Sequence, residues 1–269
     1  MSKSLWEIIQ ENNLMKPAAY PIVEEEDCQN PRVSKFGGDY PSLPEETFNV
    51  CPSCQTKDFL LVAQLYIPTL PDFIQQIFPE KYRQSLIVFG VCPRCLGYNG
   101  YRVRIYSDEQ LDQLKYQPDI GPSFSTSLNY SSRVFPPIPQ SPHPFDILDA
   151  QRCYIQPKTI TDWKIVESAP NSTIQSIISL FKREGVNIDH LFLDLADINI
   201  QTGALGHSLL GGWPHFAKKE DSPENYQLIL NFTESPESTL AIGEGGAGQL
   251  WVKVENENIE FKYTCSCNY

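Results

Sequence analysis

Apolar and polar positions along this chain fall mostly into short runs, and helical spacing is confined to a few brief stretches. Phe59 to Ile67 and Ser85 to Val91 are rich in Leu, Val and Ile and read as buried strands. Tyr101-Arg-Val-Arg-Ile-Tyr106 alternates with period two and reads as a third. Further strands are expected around Trp163 to Val166, Tyr226 to Phe232, Gln249 to Val254 and Ile259 to Tyr263. Leu5, Ile8 and Ile9 share one helical face after a Ser4-to-Glu7 capping box. Thr69-Leu-Pro-Asp72 opens a short helix that Pro79 ends, and Ser107-Asp-Glu-Gln110 caps another carrying Leu111 and Leu114. The clearest helical pattern is Ile174, Ile177, Ile178 and Phe181, with Gly185 as its C-terminal cap. Leu191 to Ile200 fits strand or helix.

Between these elements the punctuation is informative. Residues 16 to 34 carry Pro17, Pro21 and Pro31 around an acidic run and read as extended chain. Gly37-Gly38 before Pro41 and Pro44 marks a turn with positive φ or a close backbone approach. From Gln117 to Pro144 the chain becomes rich in Pro and Ser, and its Phe124, Tyr130 and Phe135 suit an ordered strap. The two sides of the strap echo each other. Gly37-Gly38-Asp-Tyr-Pro41 matches Gly211-Gly212-Trp-Pro214, Leu60 to Tyr66 matches Tyr226 to Phe232, and Leu86 to Phe89 matches Leu250 to Val254. The expected fold is α+β and mostly antiparallel β, with two related β-rich repeats packed together and a few short helices. The expected divisions are residues 1–116, a strap at 117–150, and 151–269.

Composition narrows the function classes. A net charge of -12 and a pI near 4.8, with no run of Lys or Arg, argue against a general nucleic-acid binder and suit an acidic surface or a basic protein partner. No apolar stretch approaches the roughly 18 residues needed to span a bilayer, and Met1 to Met15 is interrupted by Glu7, Gln10 and Glu11, unlike a signal peptide. A cytoplasmic protein is expected, a compartment where eight cysteines do not form a disulfide framework.

Four of those cysteines form two C-x-x-C pairs, Cys51-Pro-Ser-Cys54 and Cys92-Pro-Arg-Cys95. Two such pairs supply four thiolates, the donor set of a closed tetrahedral zinc site that staples a fold and leaves no position for activating water. Gly97 favours amides that point at sulfur in the second pair, whereas Cys54-Gln55-Thr56 lacks that glycine. The separation of Cys54 from Cys92 exceeds the usual ribbon spacing, but an intervening strand, helix and strand can bring the pairs together. Buried free thiols or a redox pair are the alternatives. Cys28, Cys153, Cys265 and Cys267 read as ordinary thiols. Gly243-Glu-Gly245-Gly246-Ala-Gly248 satisfies G-x-G-x-x-G but leads into an alternating strand rather than a helix, so a turn with close backbone contacts is expected there instead of a dinucleotide site. His143, His190, His207 and His215 lie in no nucleophile or zincin motif.

Several segments resemble a known family. Lys35-Phe-Gly-Gly38, Leu61-Val-Ala-Gln64-Leu65, Leu209-Leu-Gly-Gly-Trp-Pro214, Leu228-Ile-Leu230 and Ile242-Gly-Glu-Gly-Gly-Ala247 are similar to the YwqG-like family of uncharacterised, mainly bacterial proteins. The N-terminal half also resembles the programmed cell death protein 2 family through Gly37-Gly38, Cys51 and Cys54, Gln64-Leu-Tyr-Ile-Pro68, Arg83, and Cys92 with Cys95. That second resemblance implies a role in chaperoning a basic ribosomal protein. The expected function is therefore a non-enzymatic, zinc-stapled protein-binding module, a chaperone or escort for a basic partner. The alternative is an enzyme or small-ligand binder in which His207, His215, Trp213 and Glu244 converge in a cleft between the repeats.

Overall fold

The computed structural model describes residues 5–24, 26, 28–46, 50–55, 59–92, 95, 100–117, 158–168, 182–185, 208–214, 222–233 and 244–268. The alternating and apolar runs become strands β1 (Lys16–Glu24), β2 (Ser34–Phe36), β3 (Tyr40–Ser42), β4 (Leu60–Tyr66), β5 (Leu86–Val91), β6 (Tyr101–Tyr106) and β7 (Lys115–Gln117). On the C-terminal side they become β8 (Lys158–Ser168), β9 (Leu209–Gly211), β10 (Gln227–Thr233), β11 (Glu244–Glu255) and β12 (Asn258–Asn268). Helices α1 (Leu5–Glu11), α2 (Asp72–Gln75) and α3 (Asp108–Leu111) are short. Gln110 accepts the Ser107 amide at 3.0 Å, the reciprocal half of the expected capping box. The expected helix at 174–181 and the stretches 118–157 and 191–200 lie outside the described residues.

Ten strands form one antiparallel sheet in the order β12, β11, β10, β9, β1, β8, β2, β4, β5, β6, and β3 pairs with β7 beside it. The segment read as extended chain from residue 16 thus begins as a central strand, despite its two prolines. Pro17 and Pro21 share one parity, and the Pro17 carbonyl accepts the Gly212 amide at 2.9 Å. In an antiparallel ladder a residue's N and O point to the same neighbour, so both missing donors face the β9 side. There β9 is only three residues long and pairs with Ala18 and Ala19 alone, while the eleven-residue β8 pairs along the other side of β1 from Lys16 to Glu24, with one bulge between Ile22 and Val23.

Outward from the β1–β8 pair the two arms match in register. Lys35 faces Gln64 and Phe36 faces Ala63; correspondingly, Leu209 faces Asn231 and Leu210 faces Leu230. A β-bulge between Leu61 and Ala63 has its counterpart between Leu228 and Leu230. The Tyr66 amide donates to Ser34 Oγ at 3.0 Å, and the Thr233 amide donates to Ser208 Oγ at 3.3 Å. Gly37 and Gly38 have φ of 58° and 75°, and Gly211 and Gly212 have 66° and 72°. At Gly211 the positive φ coincides with a close approach, since a Cβ there would lie 2.7 Å from the Phe73 ring. The first strand of each arm, however, sits in the opposite arm's half of the sheet: β1 lies beside β9, and β8 beside β2.

One core joins both arms. Phe36, Leu65, Ile74, Phe78 and Phe89 pack with Leu210, Leu230, Phe232, Leu250 and Tyr263, each such side chain contributing about 1.5–3 kcal/mol relative to exposure. The Phe89 ring lies 5.7 Å from both Phe232 and Tyr263, and Tyr101 Oη donates to the Phe261 carbonyl at 3.3 Å, so the sheet's two edge strands approach each other and nearly close it. The glycine-rich run expected to form a turn is instead the start of β11, with a bulge between Glu244 and Ala247. Its close contact is at Gly248, where a Cβ would overlap the Phe232 ring. The opposite face of β4 and β5 carries a second cluster of Tyr40, Phe59, Leu61, Val88, Tyr106 and Leu111, and Cys51 and Cys92 belong to it.

Candidate metal centre

Three consecutive strands set the position of the cysteines. Leu60 at the start of β4 pairs with Val91 at the end of β5, which pairs in turn with Tyr101 at the start of β6. Cys51 and Cys54 precede β4, and Cys92 and Cys95 follow β5, so antiparallel pairing brings both C-x-x-C loops to the same end of this meander. The long sequence gap between the pairs is simply the length of the β4–β5 hairpin with its inserted helix.

There the Sγ atoms of Cys51, Cys54, Cys92 and Cys95 all lie within 4.8 Å of one another. Cys54 Sγ and Cys92 Sγ are 3.6 Å apart, close to the edge of about 3.8 Å that follows from a tetrahedron with bonds of about 2.3 Å to zinc. Four sulfurs so placed form a group that could hold a metal ion. Cys51 and Cys92 are buried, Cys95 is half-buried and Cys54 is exposed. Burial, followed by its neighbours Cys54 and Cys51, pushes the Cys95 thiol up to about 11. Thiolates crowded this way repel one another, and a divalent cation at their centre removes that penalty.

The first loop achieves knuckle geometry without its glycine. Cys51 Sγ accepts the amides of Ser53 and Cys54, both at 3.4 Å, and the Gln55 amide closes the turn onto the Cys51 carbonyl at 3.0 Å. Gln55 itself takes φ 60°, the left-handed conformation in which a Cβ is unfavourable. In the second loop the Cys95 amide donates to the Cys92 carbonyl at 3.1 Å, and the Cys92 amide donates to the Gly100 carbonyl at 2.6 Å.

Two supporting residues carry no motif that sequence reasoning would single out. A Cβ on Gly100 would lie 2.5 Å from both the Cβ and the carbonyl oxygen of Cys95, so Gly100 is what lets Cys95 lie against the hairpin. Arg102 is opposite Gly90 on β5, two residues before Cys92 and on the same face by strand alternation. Its guanidinium is held below the usual arginine range by burial and by Arg104, and the Cys51 and Glu46 charges act in the other direction. A glycine five residues after a cysteine and an arginine in an alternating strand are ordinary features, and only register reveals them as neighbours of the site.

The residues proposed for a cleft are not assembled among the described residues. Trp213 is half-buried, its indole N–H donating to the Leu14 carbonyl at 2.9 Å and Lys16 Nζ lying 3.8 Å above its ring. His207 and His215 lie outside the described residues, as do His143, His190, Cys153 and the side chains of Glu244 and Cys267. Cys265 is half-buried against the main core, and Cys28 is half-buried. No helix among the described residues is long and apolar enough to cross a membrane. The chain matches no protein-family model and no curated protein.

Proposed function

We propose that this chain is a duplicated β scaffold, stapled in its N-terminal arm by one structural zinc ion, whose acidic exterior binds a basic protein partner. The convergence of four cysteine sulfurs within 4.8 Å carries this reading. All four positions are sulfur, which favours zinc over hard cations, and four ligands leave the ion no open site for chemistry. The zinc ties the start of β4 to the end of β5 and the start of β6. That strand end leads straight into Tyr101, which closes the seam to β12, so the staple also braces the near-closed sheet.

The duplication rests on the matched registers, bulges, serine contacts and Gly-Gly turns of the two arms. In the C-terminal arm the counterpart of the second cysteine loop is a two-residue turn, Asn256-Glu257, with φ of 49° and 62°. The zinc loop is then an elaboration of one hairpin on a shared frame, consistent with the resemblance to YwqG-like proteins across most of the chain. The net charge of -12 supports a basic partner, as does the resemblance of the cysteine-bearing arm to a family that chaperones one. A reducing, cytoplasmic setting suits the thiols.

Affinity capture tests the binding claim. The tagged, zinc-loaded chain is incubated with lysate at low salt and at about 0.5 M salt, where charges separated by more than a few ångströms are screened. Reproducible enrichment of one basic protein at low salt, lost at high salt, is the expected result. Absence of any enriched basic protein at either salt concentration refutes the partner reading.

A further inference from the structure

The four sulfurs are unequal in ways that assign them different chemistry. Cys51 is fully buried and its sulfur already accepts two backbone amides, which disperse its charge. Cys95 is half-buried against Gly100. Cys92 is fully buried at the end of β5. Only Cys54 is exposed, at the crest of a loop in which Pro52, Ser53 and Gln55 are exposed as well. The exposed sulfur lies 3.6 Å from the buried Cys92 sulfur of the opposite loop.

We propose that Cys54 is a hydroperoxide-reactive modification site and that Cys92 resolves it, forming a cross-loop disulfide that expels the metal. The inference rests on the zinc reading above. Solvent access decides which thiolate meets the oxidant first, and thiolate character makes it reactive. The Cys54 thiolate attacks one peroxide oxygen, the O–O bond breaks, and the other oxygen leaves as hydroxide or alkoxide, giving a sulfenic acid on Cys54. The Cys92 thiolate then attacks the Cys54 sulfur, the S–O bond breaks, and hydroxide leaves as the S–S bond forms. Two electrons pass from the two sulfurs to the peroxide, and two protons from solvent convert its oxygens to water, or to water and an alcohol. Side-chain rotation brings the sulfurs from 3.6 Å to the bonded distance of about 2.05 Å. Only Cys51 and Cys95 then remain as donors, two short of a closed site.

This chemistry joins the two loops where disulfides within each C-x-x-C pair would leave them apart.

The test treats the full-length, zinc-loaded chain with hydrogen peroxide, follows zinc with a chromogenic chelator, and maps disulfides by mass spectrometry after thiol alkylation. Zinc release in step with a Cys54–Cys92 disulfide, reversed by dithiothreitol and added zinc, is expected. Cys28→Ser should leave both the release rate and the disulfide map unchanged. A dominant Cys51–Cys54 or Cys92–Cys95 disulfide, or zinc release without any disulfide, overturns the proposal. If the untreated protein holds no zinc, the metal reading fails at that step. The disulfide map of the wild-type chain then decides this one separately: a Cys54–Cys92 bond sustains the assignment, and any other dominant pairing removes it.

Discussion

Gly100→Ala is the substitution on which the geometry of the centre makes its sharpest statement. The new Cβ would sit 2.5 Å from two atoms of Cys95, its Cβ and its carbonyl oxygen, roughly 1 Å inside ordinary contact distance. Neither atom is the free end of a flexible side chain, so Cys95 itself must move by about that amount. Metal–ligand distances tolerate only about 0.2 Å. The strain therefore falls on the metal-bound state, and overpacking of this size costs about 1–3 kcal/mol. At about 1.4 kcal/mol per tenfold, zinc affinity should fall between about 5-fold and 150-fold. Competition against a chromogenic chelator measures it, and the difference in Tm between zinc-loaded and chelated protein should shrink. The metal-free chain, in which no metal bond fixes Cys95, should lose less stability than the zinc-loaded one. Wild-type zinc affinity in Gly100→Ala, within about twofold, would refute the placement of Cys95 as a ligand held by close backbone packing.

Other residues give further tests. Gln55→Gly relieves a left-handed conformation that costs a non-glycine residue about 1–2 kcal/mol, partly offset by the greater freedom of glycine when unfolded; zinc binding should tighten a few-fold, and weaker binding would contradict the knuckle geometry. Arg102→Gln removes a cation from beside the thiolates and should hasten zinc loss to a chelator a few-fold, more at low salt than at high, with Arg102→Lys restoring part of the loss. Tyr106 Oη donates to Glu46 Oε2 at 2.6 Å, and burial first, then Glu46, raises its pKa above the ordinary value of 10.0. The protonated phenol is thus favoured by folding, so this contribution is complete below about pH 10 and is lost as pH rises beyond it. Tyr106→Phe should cost about 1.5–3 kcal/mol at neutral pH in denaturant unfolding and flatten the alkaline decline, and an unchanged alkaline decline would show that Tyr106 is not its source.

How far the sequence disclosed all this depends on the range of the forces involved. Local rules worked where local physics decides: the alternation of Tyr101 to Tyr106, the Ser107 capping box and the positive φ of Gly37 and Gly38 are consequences of a few adjacent residues. The paired C-x-x-C spacing likewise pointed to the four sulfurs that converge. The central position of β1 was hidden, because prolines argue against an interior strand until the three-residue length of β9 is known. Gly243 to Gly248 reads as a turn locally, yet from Glu244 onward the run forms the start of strand β11 because β12 pairs along it and Phe232 needs the space at Gly248. Gly100 and Arg102 were silent for the same reason: their contacts with the cysteines are set by register between strands. Echoed Gly-Gly turns suggested two arms, but nothing local reveals that β1 and β8 lie in each other's half of the sheet.

The central claim is that four cysteines hold one zinc ion, and elemental analysis of protein purified under reducing conditions without chelator or added metal tests it most directly. The account predicts one zinc per chain, with the ion lost or greatly depleted in Cys92→Ser and retained in Cys28→Ser. Folded protein that carries no zinc, or Cys92→Ser and Cys51→Ser proteins that keep a full equivalent, would contradict it.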